Sequence, residues 1–324
     1  MTRPSLSSWF FDAAPATRLA SLRILVGLYG TLYLCIRLPH LWSYGLDDLD
    51  RFVPVGIVSW SDTPLLPALY QGVVLLTLVL SFAFLLGWRF RLLAPIYAIG
   101  LLFVLTHSNS WGKILHTDNL FVLYVACLAL VPAADTYSLD ARRAPGSTED
   151  IAAREVEGRY GWMIRLMCMV CAAAYLIAGI AKLRNSGFEF AQGDTLRNYV
   201  AFDNVRKLEL GSVYSPIGAA LLPYAGLFSG MAWVSLVLEI TAPVAVVHRG
   251  FGKLWALLVW GFHVGVLALM AIGFAFQLSF VAFAPFFASE RLVARVRARL
   301  QRKLGRERKV NRSLGEEVVV GSKL

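Results

Sequence analysis

The run CMVCAAAYLIAGIAKL, residues 168–183, is an apolar stretch of helix length that ends on a lysine. Lys182 has no acidic residue within five positions on either side. A membrane chain seldom keeps a bare cation on an apolar helix without a structural or chemical reason. Ala172, Ala173, Ala174, Ala178, Gly179 and Ala181 crowd the same helix, and small residues let a second helix approach closely. Lys182 is therefore expected where helices meet. The competing expectation is a lysine that snorkels to the membrane surface.

The rest of the chain agrees with a membrane setting. It is 57% hydrophobic and 16% charged, far from the balance of a soluble domain. Eight apolar runs, 18–38, 66–87, 92–109, 118–133, 162–183, 228–247, 254–272 and 274–288, reach or approach the length that crosses a bilayer. The last is short, and the run 216–226 reads as an interfacial or re-entrant piece. Strand signals are weak throughout, and helices satisfy their own backbone groups in lipid. The expected fold class is all-α, a polytopic bundle of about eight transmembrane helices. The expected division is an N-terminal segment 1–17, a membrane domain 18–290 and a basic tail 291–324. Ala13-Ala14-Pro15-Ala16 precedes the first apolar run, whereas a signal cleavage site follows one, so that run reads as a retained helix.

Charge sets the orientation. The tail after Ser289 holds 11 of the 31 basic residues, which places the C-terminus in the cytoplasm. Eight crossings then put the N-terminus there too, with Arg3, Arg18 and Arg23. Arg89, Arg91, Arg142, Arg143, Arg154 and Arg159 also fall inside. The loop 39–64 carries Asp47, Asp48, Asp50 and Asp62 against Arg51 alone, and falls outside. The net charge of +10 reads as membrane topology with attraction to anionic lipid, not as nucleic-acid binding. Leu292, Val296, Leu300 and Leu304, four apart, make the tail an amphipathic basic helix on the inner leaflet. The expected location is the inner cell membrane.

Several polar residues fall in or beside the apolar runs. Tyr175 shares a helical face with Lys182 by three- and four-residue spacing. His116, Thr117, Asp118 and Asn119 open the fourth run, where Asp118 suits the positive helix end and His116 can donate, accept or move a proton. His107 and Asn109 close the third run. Glu239 lies mid-way along the sixth and His263 within the seventh. His107, His116 and Asp118 form too thin a set for a metal site. Cys35, Cys127, Cys168 and Cys171 all lie in apolar runs, which implies no disulfide framework; Cys168-x-x-Cys171 reads as packing before redox chemistry. The polar stretch 184–215 is long for a connector and is expected to fold over the external face.

Four motifs in order carry a family resemblance: RLASLRILVG from Arg18, HTDNL from His116, AGIAKL ending on Leu183, and WGFHVG from Trp260 with Gly273-Phe274 after it. Together they resemble the HTTM family, the membrane region related to vitamin K-dependent gamma-carboxylase, over roughly 15–290. The resemblance implies a multi-span helical fold and a reduced quinone as cofactor. In the carboxylase a lysine base deprotonates reduced vitamin K. Oxygen then converts the quinol to an alkoxide on its way to the epoxide; the alkoxide removes a proton from a glutamate side chain, and that carbanion captures carbon dioxide. The family lysine matches Lys182 and the family histidine matches His116, an oxyanion or proton partner. Asp118 is a further catalytic candidate. Tyr175, Asn119, His107, Glu239 and His263 are candidates for holding the cofactor. The chain departs from the eukaryotic carboxylase in three ways. Only the basic tail follows the membrane region; Phe190-Ala191-Gln192-Gly193 stands where W-x-x-G is expected; and HTDN is closer to bacterial members.

Three functions compete at this stage. The first is a membrane enzyme of the carboxylase-like class with Lys182 as base, acting on a lipid-soluble partner and on a peptide or protein at the external face. The second is a non-enzymatic protein for maturation, export or immunity of a secreted peptide. The third is a transporter that uses Glu239 and His263.

Overall fold

Apolar runs become helices through most of the computed structural model, which describes residues 5–44, 49–112, 116–143, 156–296, 298–299 and 302. In chain order the helices are α1 (Leu6–Phe10), α2 (Ala16–Ser43), α3 (Pro67–Leu86), α4 (Phe90–Asn109), α5 (Asn119–Ala129), α6 (Leu139–Arg143) and α7 (Gly158–Ser186). They continue as α8 (Asp194–Glu209), α9 (Pro216–Leu221), α10 (Ala225–Ile240), α11 (Ala242–Val247), α12 (Arg249–Met270) and α13 (Ala275–Leu278). A tail helix follows over 289–296. Among the described residues the one sheet is a two-residue pairing, Ala14–Pro15 against Val156–Glu157. Asp47, Asp48, Arg154, Leu300 and Leu304 lie outside the described residues.

Five helices, α2, α3, α4, α7 and α12, are long and apolar enough to cross a membrane. Their outward faces carry exposed leucine, isoleucine, valine and phenylalanine, a surface that hydrocarbon covers. The other three apolar runs take different forms. In the fourth, α5 stops at Ala129, three residues before Pro132, because a proline disfavours helical geometry before it. The sixth divides at Thr241, where Pro243 in the first turn of α11 has no N–H to continue α10.

The run 274–288 is the largest departure from a single spanning helix. It forms α13, then a left-handed Phe280 (φ 67°), then a 3-10 segment Val281–Phe286 that contains Pro285. Irregular backbone survives at membrane depth only where protein supplies its partners. Here the Tyr124 hydroxyl donates to the Ala282 carbonyl at 2.7 Å, and the Trp260 indole donates to Leu278 at 3.1 Å.

One end of the bundle brings the start of α2 to the start of the tail helix. Arg18 donates two hydrogen bonds of 2.9 Å to Glu290, and Asp12 pairs with Arg165 at 3.5 Å and with Arg249. The Asp140 carboxylate accepts from the Arg89 and Phe90 backbone N–H groups at 2.8 and 2.7 Å, which caps α4 from 50 residues away in sequence. Arg23 is fully buried there and donates to the Tyr137 carbonyl at 2.6 Å. Its guanidinium lies over Gly87, whose φ is 64°.

The stretch 184–215 folds at the opposite end, with α8 as its main element. Tyr199, Phe202 and Val205 on α8 are exposed, while Asp203 and Asn204 are buried. The apolar side of this helix therefore faces out and its polar side faces the bundle. That polar side holds the last carbonyls of α12, which have no partner within their own helix. Lys207 donates to Met270, Asn204 donates to Leu269 at 3.0 Å, and Ser215 donates to Ala268.

Asp203 accepts from Arg206 and Lys207, each at 2.8 Å. Burial opposes the Asp203 carboxylate, yet hydrogen bonds from Lys207 and Arg206 and their charges hold its pKa below the ordinary 3.8. A carboxyl group depressed in the folded state contributes stability above its unfolded pKa and loses it as pH falls through the folded one. Backbone hydrogen exchange over 194–209 should therefore accelerate below about pH 4. Asp203→Asn should remove that acid-dependent step; an unchanged acid profile in the variant would show that another group sets it.

Candidate functional site

The small residues of α7 fix the geometry around Lys182. A Cβ on Gly179 would lie 2.9 Å from the Glu239 Cβ, so α10 packs directly against this turn. Ser235 and Glu239 are four apart on α10 and present one face to α7. The Lys182 Nζ donates to Glu239 Oε1 at 2.6 Å and to Ser235 Oγ at 2.7 Å. The lysine with no local acid thus has an acidic partner 57 residues away. The Lys182 side chain is 26% exposed and that of Glu239 only 7%. Glu239 Oε2 is buried and has no hydrogen-bond partner.

Aromatic rings close around the ammonium. Phe190 lies 5.0 Å and Phe262 5.9 Å from Nζ, within cation–π range. Phe190 begins the segment that stands in place of W-x-x-G. That segment can reach the site because Gly193 (φ 92°) packs against α10, where a Cβ would meet the Ser229 backbone nitrogen at 2.3 Å.

Two turns before Lys182, the Tyr175 hydroxyl is hydrogen-bonded to His263 Nε2 at 2.7 Å. His263 follows Phe262 on α12, so the two groups adjoin. His263 Nδ1 is buried without a partner. Its ring lies 4.8 Å from that of Phe274, which lies 6.1 Å from His116. His116 itself is exposed.

The remaining candidates sit elsewhere. Asp118 accepts from the Tyr33 hydroxyl at 2.7 Å and, with Asn109 and Asn119, lines a separate recess of about 250 Å³. His107 is 1% exposed and stacks on Tyr70 at 4.0 Å. Among the described residues, no three His, Cys, Asp or Glu side chains group as a metal site would require. Cys168 and Cys171 are free thiols. The structure thus brings Lys182 to Glu239 and Tyr175 to His263, with His116 one aromatic ring beyond. It does not bring Asp118, Asn119 or His107 to Lys182. Sequence reasoning missed Ser235 and Phe262; the signals were one helical turn before Glu239 and the residue before His263.

A polytopic helical membrane protein with a largely buried lysine–glutamate pair between aromatic rings is the class this arrangement defines. The HTTM domain model matches residues 11–291, and the chain belongs to the HTTM family. No curated protein and no solved structure matches it.

Proposed function

We propose that the protein is an integral-membrane enzyme of the carboxylase-like class, in which Lys182 and Glu239 take a proton from a reduced quinone or a similar lipid-soluble acid. The observation that carries this reading is the 2.6 Å Lys182–Glu239 hydrogen bond with one carboxylate oxygen left free. A charged ammonium cannot accept a proton. Transfer from Nζ to Oε1 along that bond leaves a neutral amine beside a neutral carboxyl group, and the amine is then a base. Ser235 holds Nζ in place. His116, exposed and one aromatic ring beyond His263, exchanges protons with water.

The residues fit a reduced quinone, which is flat, apolar and doubly hydroxylated. Phe190, Phe262 and Phe274 offer ring faces; Glu239 Oε2 and His263 Nδ1 are buried polar atoms in need of partners. When bound, the quinol supplies the electrons for epoxidation- and carboxylation-type chemistry. The proposal includes eight crossings, cytoplasmic termini and a site in the outer half of the inner cell membrane. Arg18–Glu290 supports it by joining the start of α2 to the start of the tail helix at the arginine-rich end of the bundle, and Asp12–Arg249 by tying the segment before α2 to the start of α12 at that end.

The test is oxidation of reduced quinone by the full chain in liposomes with oxygen and bicarbonate, followed by absorbance and by the mass of the product. Replacing both Lys182 and Glu239 by Met leaves no unpaired charge, and this variant is expected to stay folded while turnover falls about 10²–10⁴-fold. Wild-type turnover in that variant would overturn the assignment. A second reading, a proton-coupled transporter, is favoured by the buried, unpartnered atoms of Glu239 and His263. It predicts that Glu239→Gln changes pH-dependent uptake in vesicles without any quinone.

A further inference from the structure

The end of the bundle that gathers Arg18, Asp12 and Arg249 contains a cavity of about 290 Å³ that the proposed chemistry does not use. Five cations line it: Arg18, Arg165, Arg249, Lys253 and Arg291. Asp12 is the one acidic residue in the lining. It is shared between Arg165 and Arg249, and Glu290 is held by Arg18. Lys253 and Arg291 have no salt-bridge partner among the described residues. Five positive groups against two negative ones leave a surplus of three in a concave, partly dry space, which concentrates anions.

The backbone adds to the same sign. Ala13 and Ala14 lead into α2, Arg249 opens α12, and Phe287 and Ala288 lead into the tail helix. Three helix N-termini thus border one cavity, each with the partial positive charge of a helix start. The inner wall is apolar, with Ile164, Cys168, Val246 and Phe286.

We propose that this cavity binds a phosphate group, with the phosphate on Arg165, Arg249, Lys253 and Arg291 and an attached apolar chain along Ile164 and Val246. Arginine suits the role because its planar fork meets phosphate oxygens in pairs. The same chemistry is presented by an anionic phospholipid and by a soluble phosphate ester, and the apolar wall favours the lipid.

The test uses the full chain in nanodiscs of phosphatidylcholine, with phosphatidylglycerol titrated in and retained lipid measured by native mass spectrometry. A parallel series adds inorganic phosphate and measures thermal stability. Arg249→Gln with Lys253→Gln removes two exposed cations and leaves the half-buried Arg165 in place. Arg143→Gln, at the same end but outside the cavity, controls for general surface attraction. Retention of phosphatidylglycerol should fall about thirtyfold in the double variant and stay unchanged in the control. Stabilisation by inorganic phosphate alone, lost in the double variant, would assign the site to a soluble ester. Equal lipid retention in all three proteins, with no phosphate effect, would overturn the proposal.

Discussion

Lys182→Ala is expected to lower the unfolding free energy by about 3–5 kcal/mol, the cost of leaving one member of a buried ion pair alone. Glu239 is the more deeply placed partner, at 7% exposure against 26%. Without Nζ its carboxylate loses the charge that compensates it at membrane depth, and neither oxygen has another partner. Glu239→Gln should be milder. The amide still accepts a hydrogen bond, and Lys182 can extend toward the surface. The paired Met replacements should recover most of the loss, because two apolar side chains of similar volume remove the unpaired charge entirely. Unfolding of the wild type, Lys182→Met, Glu239→Met and the paired Met variant in one detergent closes a double-mutant cycle. Strictly additive losses would mean that the 2.6 Å contact contributes no coupling, and the acid–base role of the pair would fall with it.

Gly87→Ala should do damage of similar size at the other end. A left-handed alanine costs about 1–2 kcal/mol by itself. A Cβ would also lie 1.7 Å from a guanidinium nitrogen of Arg23 and 2.5 Å from the Ser138 Cβ. Arg23 is fully buried, so it can yield only by giving up its 2.6 Å hydrogen bond to the Tyr137 carbonyl, a further loss of about 1–3 kcal/mol. Thermal unfolding of Gly87→Ala should show the combined loss, and Arg23→Met in the same background should restore part of it. A change within about 0.5 kcal/mol, typical of a neutral surface site, would show that the guanidinium does not fill this space.

The helix junction at Lys182 was readable because small residues recur on one face of a single apolar run. Its acidic partner was not, because pairing Lys182 with Glu239 requires knowing how α7 and α10 are aligned. Arg23 reads in sequence as an inner-side charge marker; its burial depends on Gly87 and Tyr137, which hydropathy does not connect to it. The run 274–288 looks like a short helix because composition records apolarity but not the hydroxyl of Tyr124 that supports irregular backbone. Residues 194–209 read in sequence only as part of a polar stretch folded over one face, since a helix with its polar side inward has the same composition as one with its polar side outward.

That reversed helix has a mechanical consequence. α8 holds the carbonyls of Leu269 and Met270 at the end of α12 with its polar side, Ser215 just beyond it holds that of Ala268, and Tyr199, Phe202 and Val205 face outward on the other side. α12 carries Phe262 and His263 two turns below those carbonyls. A displacement of α8 along the bundle axis would therefore carry the rings beside Lys182 with it, which couples the position of this outer helix to the geometry of the ion pair.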